Sequence, residues 1–425
     1  MTEQRTPPSL ADILRTWQDA SDQCIQCGGC APRCELLEPQ DITLGGIAAR
    51  GLDLLRKTGY FSSADQADHA LPQTLSPVVQ TEMNESRDFY ALQRRCCLCS
   101  HCTAECPGNV SASAVMKGWR HLFALAGLLD PADSKSVMVD NRWHIFSVYR
   151  KVYGIEYPEF PALETVGSGR VSTLFFPGCS LVSYAPELTR SVCGWLKKQS
   201  ISFALTDSCC GSPLSSAGLR ERADALKQSL RERIRAAGIE RVITVCAGCG
   251  EELRAALGGD IPIVPLPQLL MKAGVTLSPP KSMAVPTPVA LFDSCHDRDG
   301  GHGEALRILT GALPRVELPH HGMDTLCCGA GGAVAAFDPG LCTKRVERVL
   351  AECLQAGAAA LISSCPTCTY TFAAALLNGV SSAGLESRHY LELLFDCPLD
   401  WRRIFANLQD MWEGEHGAWV CEQLL

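Results

Sequence analysis

The 425-residue chain contains no run of 18 uninterrupted apolar residues, so no membrane span of its own is expected. The opening stretch, MTEQRTPPSLADILRTWQDA, lacks a basic segment followed by an apolar one and lacks a twin-arginine pair, so no export leader is read there. Positive charge is not in excess either. Lys+Arg number 38 against 46 Asp+Glu, a net charge of −8, and no nucleic-acid partner is expected, because backbone binding needs a basic surface. A Walker loop is missing. GAGGAV (329–334) lacks the third glycine of a dinucleotide fingerprint and follows a cysteine pair, not a strand. No flavin is expected on this chain.

Hydrophobic content of 46% and charged content of 20% suit a globular protein with real cores, and the length predicts two or three domains. The one residue in excess is cysteine, with 24 copies. Secreted disulfide scaffolds are short and spread their cysteines through loops. Here most fall into tight runs spaced like metal ligands. The reading is a cytoplasmic, reduced protein whose thiolates hold metal.

Residues 1–155 are expected to form a mainly helical unit holding two cysteine runs, with a polar interval at 60–90 and a helix over 116–129 stopped by Asp130-Pro131. After a linker at 156–170 the pattern changes to short β-type runs alternating with helices. VSTLFF (171–176) leads to Cys179 and RVITV (241–245) to Cys246, with a helix between them over 218–237. In that helix Leu219, Ala223, Leu226, Leu230 and Ile234 share one face, and Gly238 is the stop. A proline-rich linker, 278–288, precedes a second copy: VALFD (289–293) leads to Cys295, a helix covers 341–355, and AALI (359–362) leads to Cys365. Cys179 to Cys295 is 116 residues, Cys210 to Cys328 is 118, and Cys246 to Cys365 and Cys249 to Cys368 are both 119. A duplication of two α/β copies, at 171–277 and 289–398, is therefore predicted, followed by a tail at 399–425.

Cys24, Cys27, Cys30 and Cys34 have the C-x-x-C-x-x-C-x-x-x-C spacing of bacterial ferredoxins, and Cys96, Cys99, Cys102 and Cys106 repeat it, with Pro107 following as in ferredoxins. Three cysteines in a tight coil wrap one corner of a cube, while the fourth ligates the other cube. By that rule one [4Fe–4S] cubane is held by Cys24, Cys27, Cys30 and Cys106, and the other by Cys34, Cys96, Cys99 and Cys102. Zinc sites take four ligands, usually as two separated pairs, and explain two such runs poorly. Cys97 is read as a packed bystander, and Arg94 and Arg95 as a solvated basic pair.

Each α/β copy adds five cysteines: Cys179, Cys209, Cys210, Cys246 and Cys249 in the first, and Cys295, Cys327, Cys328, Cys365 and Cys368 in the second. In both, a Cys-Cys-Gly triplet lies between a single cysteine and a C-x-x-C, and all three loops follow strands, where α/β sheets place ligands. Five thiolates exceed the needs of zinc or one regular cubane. Glycine after each pair lets the backbone pass close to a cluster. Among the remaining cysteines, Cys342 and Cys353 fall on a helical stripe with Val346 and Val349 and are read as packing residues.

These five-cysteine sets resemble the CCG domain of heterodisulfide reductases and of the iron–sulfur subunits of glycolate and lactate oxidoreductases. A ferredoxin-type domain followed by two CCG domains is similar to the D-type subunits of heterodisulfide reductase, which resemble a fusion of the C-type and B-type ones. The resemblance implies an α+β protein: a helical two-[4Fe–4S] domain, then two α/β CCG domains, each with a noncubane [4Fe–4S] cluster held by its five cysteines. It also implies redox partners, a flavoprotein or a membrane cytochrome that makes any attachment to the membrane, and a small disulfide or thiol substrate. The alternative is a relay component of a flavoprotein, quinone or cytochrome-linked dehydrogenase complex. Asp293-Ser294-Cys295-His296 departs mildly from the family's Asp-Pro-Cys-His. His296, His320 and His321, close in sequence to the cysteines of the second copy, are candidate proton donors.

Overall fold

The computed structural model describes residues 10–40, 42–59, 74–85, 87–129, 135–157, 161, 163, 171–277, 284–298, 301–380 and 384–425. Most of the expected 156–170 linker, part of the 278–288 linker and the Asp130-Pro131 stop lie outside them. The fold is α+β overall, and its two compact units do not follow chain order. One consists of Met1–Ser134, Pro213–Ala223 and Gly331–Leu341; the other takes Lys135–Ser212, Asp224–Ala330 and Cys342–Leu425.

The first unit is helical. Helices Leu10–Gln23, Leu44–Lys57 and Ala112–Leu125 enclose a core centred on Trp17 and Trp119, whose ring centroids lie 5.0 Å apart. Each indole N–H finds a carbonyl, Trp17 on Val115 and Trp119 on Ile47, both at 3.2 Å, as buried Trp requires. Gly51 and Gly118 leave the space that Trp17 fills, since a Cβ on either would lie 2.5 and 2.9 Å from its ring atoms. The helix expected at 116–129 starts four residues earlier because the Ser111 side chain accepts from Ala114 N–H as an N-cap. It ends at Leu125, before Gly127 turns the chain at φ +68°.

The second unit contains two four-stranded parallel sheets. The first has β1 (Thr173–Phe176), β2 (Phe203–Leu205), β3 (Arg241–Thr244) and β4 (Ile263–Pro265), in the order β2-β1-β3-β4. The second has β5 (Val289–Phe292), β6 (Arg315–Val316), β7 (Ala360–Ser363) and β8 (Glu386–His389), in the matching order β6-β5-β7-β8. Register repeats too: Leu174 pairs with Ala204 and Val242, as Ala290 pairs with Val316 and Leu361. All four residues of β1 and of β5 are buried, which is why both read as continuous apolar runs.

One hydrophobic core joins the repeats through Phe175, Ile243, Leu291, Ile362 and Tyr390. Helix Leu266–Lys272 of the first repeat packs on His302–Leu309 of the second, and Tyr390–Phe395 of the second packs on Pro186–Lys198 of the first. This exchange of equivalent elements is the signature of pseudo-two-fold symmetry. Residues 399–425 hold two helices, Trp401–Glu413 and Gly417–Leu424, whose Met411, Val420 and Leu424 pack with Val148 and Tyr149 of helix Ile145–Val152.

Candidate iron–sulfur sites

Both N-terminal runs fold into the same backbone shape. Gln26 and Gly28 have φ of +54° and +74°, and their counterparts 72 residues on, Leu98 and Ser100, have +58° and +55°. Left-handed conformations are disfavoured for Leu and Ser by roughly 1–2 kcal/mol. Their recurrence shapes the nest of inward-facing amides that receives anions and iron–sulfur clusters. One such amide, Leu98 N–H, donates to the Cys96 sulfur at 3.4 Å.

A small open hollow is lined by Cys24, Cys27 and Cys30 and, from the other run, Cys106, with Gly28, Gly29 and Gly108 in its wall. Cys34 in turn lies among the second run. Burial pushes its thiol up to about 12, and charges on Cys96 and Cys99 add to the rise. Cys102 is pushed well up by burial and then by Cys99, Cys34 and Cys96. Burial also raises Cys30, with Cys24 and Cys106 adding to the effect. Burial and mutual repulsion both favour protonated thiols, so gathering four as thiolates requires a cationic metal centre. Among the described residues no three Cys, His, Asp or Glu side chains converge as ligands of a single ion.

In the second unit Cys179 follows β1 and Cys246 follows β3, the adjacent strands at which the sheet order reverses. This is the switch point where open α/β sheets bind ligands. Cys295 and Cys365 occupy the same places after β5 and β7. Each cysteine pair ends in a left-handed glycine, Gly211 at φ +88° and Gly329 at +83°, a turn that side chains resist. Gly178 (φ +88°) is held close because a Cβ there would sit 3.2 Å from the Cys249 sulfur.

Eight thiols lie side by side in one continuous row: Cys179, Cys209, Cys210, Cys249, Cys246, Cys365, Cys368, Cys328. Its last link measures 3.0 Å between sulfurs. Neighbouring thiols lower the pKa of Cys210 and Cys365 and raise those of Cys209, Cys249 and Cys368, with burial adding to each rise. Cys327 accepts Gly329 N–H on its sulfur at 3.3 Å. Cys295 opens a short 3₁₀ turn, Cys295–Asp297.

The three candidate histidines are placed differently. His296 reaches across the repeats: its Nδ1 lies 2.6 Å from Glu251 Oε2, and its ring lies against Gly248 in the first turn of helix Ala247–Leu257. His320 engages Glu352 and Asp324, and His321 the Leu318 carbonyl.

Several supporting contacts were not legible in the sequence. Asp293 takes a bidentate bond from Arg307 (2.8 and 2.9 Å) and accepts Gly322 N–H at 2.7 Å, while its carbonyl accepts Thr325 Oγ1 at 2.8 Å. It thereby pins the Cys295 loop to the segment entering Cys327-Cys328. Cys342, expected only to pack, also donates its thiol to Gly329 O at 3.0 Å, and Cys353 is buried in the same helix. Arg95 is exposed, as expected of a solvated basic residue, and binds Asp338 at 2.8 Å; the half-buried Arg94 lies 5.0 Å over the Phe337 ring. Cys97 is buried with Gly331 against its carbonyl. Among the described residues no helix is long and apolar enough to cross a membrane.

The cysteine-rich CCG domain family matches residues 173–254 and 289–373, one match per repeat. An uncharacterized iron–sulfur protein of Methanococcus maripaludis is 26% identical over 300 residues, 68% of this chain and 59% of that protein. The D subunit of the dihydromethanophenazine:CoB–CoM heterodisulfide reductase of Methanosarcina barkeri is 25% identical over 371 residues, 82% of this chain and 87% of that one. The B subunit of a fumarate reductase (CoM/CoB) from Methanothermobacter marburgensis is 23% identical over 360 residues, 81% of this chain and 66% of that protein. The chain thus spans about three fifths to two thirds of the first and third of these. With a family match in each repeat and similarity to the heterodisulfide reductase D subunit along four fifths of its length, the chain carries two CCG domains and is similar to that D-type subunit.

Proposed function

We propose that the protein is an iron–sulfur oxidoreductase subunit that takes electrons from a partner protein and reduces a disulfide between its two CCG domains. Cys24, Cys27, Cys30 and Cys106 hold one cubane and Cys34, Cys96, Cys99 and Cys102 the other. Each five-cysteine set holds a noncubane cluster. When bound, the clusters supply one-electron transfer and a soft metal with affinity for sulfur. The chain supplies position, a glycine-lined approach, and His296, held by Glu251, as a proton-carrying group beside both repeats. Splitting a disulfide consumes two electrons and two protons and yields two thiols.

One observation supports this reading: Cys246 of the first five-cysteine set lies beside Cys365 of the second. A relay needs clusters in line and gives no reason for two equivalent sites to meet. The relay reading keeps support from the similarity to a component of a fumarate reductase. Anaerobic turnover with reduced viologen and a panel of low-molecular-weight disulfides separates the two. Disulfide-dependent oxidation of the viologen supports the catalytic reading. No oxidation with any disulfide, beside copurification with a flavoprotein or cytochrome, overturns it in favour of the relay.

A further inference from the structure

Arg120, on helix Ala112–Leu125, is 3% exposed. Its guanidinium donates five hydrogen bonds, all to carbonyls: Nε and Nη2 to Gln93 at 3.0 and 2.6 Å, Nη2 also to Cys96 at 2.6 Å, and Nη1 to Ser216 at 2.6 Å and Gly332 at 3.2 Å. Among the described residues no carboxylate pairs with it. An arginine stays charged in proteins, and a buried charge without a counter-ion costs several kcal/mol, on the order expected for an unpaired ion. Neutral carbonyls satisfy its N–H groups but bring no negative charge. Its Nη2 lies beside the second cysteine run, 2.6 Å from the Cys96 carbonyl oxygen. The missing anion is therefore sought at the second cysteine run.

The surroundings are built around this side chain. Gly332 and Gly331 press on the carbonyls of Cys96 and Cys97, where a Cβ would lie 2.3 Å away in each case, and Gly218 presses on the Arg120 backbone at 2.5 Å. Gly218 lies eight residues after Cys210, and Gly331 three after Cys328. One arginine thus ties the second run to the stretches that follow both Cys-Cys-Gly turns, all within the first compact unit.

We infer that Arg120 is the counter-charge of the cluster held by Cys34, Cys96, Cys99 and Cys102, and that it raises that cluster's reduction potential. The inference rests on the proposed cubane at this run. A cubane with four cysteinate ligands is an anion, and taking one electron from a reduced partner adds one negative charge with no bond or proton moved. A fixed positive charge in a low-dielectric setting favours the more negative state, so the second cubane becomes the better acceptor of the two. Arg120 is a positioning and charge-setting residue, since none of its atoms ligates iron.

The test is an anaerobic redox titration followed by electron paramagnetic resonance on holo wild type, Arg120→Met and Arg120→Lys. Arg120→Met is expected to shift the second cubane to a more negative potential and leave the first unmoved. Arg120→Lys keeps the charge and is expected to stay near wild type. An Arg120→Met protein with full iron content and both potentials unchanged overturns the inference. Should Arg120→Met fail to load the second cluster, Arg120→Lys decides: a wild-type potential sustains the inference and a large negative shift overturns it. Wild-type protein with no cubane signals overturns the underlying cluster reading instead, a result visible before any variant is made.

Discussion

The thiols of Cys246 and Cys365 lie side by side, although 119 residues separate them and each belongs to a different repeat. They are equivalent positions of the duplication. Equivalent residues touch only where a two-fold axis passes between them, so this contact marks the pseudo-axis.

That geometry makes the two sites interdependent. Cys210→Ser or Cys328→Ser is expected to abolish two-electron disulfide reduction while dithionite still reduces the N-terminal cubanes. Cys353→Ala, deep in the helix core, should retain activity and cost about 1 kcal/mol of stability, the scale of a small core truncation. Full turnover with one pair disrupted would show that a single CCG site suffices.

Ligand exchange between the runs is read from the hollow that joins Cys106 to Cys24, Cys27 and Cys30. Cys106→Ser should therefore alter the paramagnetic signal of the cluster at the first run, and Cys34→Ser that at the second. In wild-type protein four full sites correspond to about 16 iron atoms with matching sulfide. A Cys34→Ser change confined to the cluster of its own run defeats the exchange.

Gly45 offers a steric test. It lies in helix Leu44–Lys57, where Gly→Ala ordinarily stabilises by about 0.5–1 kcal/mol. Here a Cβ would lie 2.2 Å from Cys24 Cβ and 2.6 Å from its sulfur. Gly45→Ala is expected to displace Cys24 and lower bound iron by about four atoms. Gly194, in helix Pro186–Lys198, has open space around its Cα hydrogen, so Gly194→Ala should raise the denaturation midpoint with iron unchanged.

A fourth test concerns pH. Burial, reinforced by Arg150 and opposed by Asp207 and Asp140, lowers the His144 pKa to about 4. Its ordinary value is near 6.5. Between those values the unfolded chain binds a proton that the folded one refuses, so stability falls as pH drops from about 6.5 toward 4. Between pH 7.5 and 5.5 this one group costs up to about 1.4 kcal/mol. Chemical denaturation of wild type and His144→Gln at both pH values measures it. The variant should lose less stability on acidification, and equal losses would remove His144 as the cause.

Much was legible because it is local or periodic. Ligand spacing is set by the reach of a few residues around one cluster corner, so Cys24–Cys34 and Cys96–Cys106 are readable without a fold. The duplication shows as constant offsets, and β1, β3, β5 and β7 as apolar runs, because strands buried on both faces tolerate little else. The edge strands β2, β4, β6 and β8 were not readable. They are two to four residues long, and Arg315–Val316 or Glu386–His389 carry no alternation or apolar run.

Only the tertiary structure decided which distant residues meet. The sequence shows that Arg120 is an arginine in a helix, but its carbonyl partners arrive from 24 to 212 positions away. The Asp293 brace, the Cys342 thiol on Gly329 and the His296–Glu251 pair likewise depend on loops brought together by packing. Side-chain spacing along one element is fixed by backbone geometry and so is written in the sequence. Contacts between elements depend on how whole surfaces fit, and no single residue encodes that.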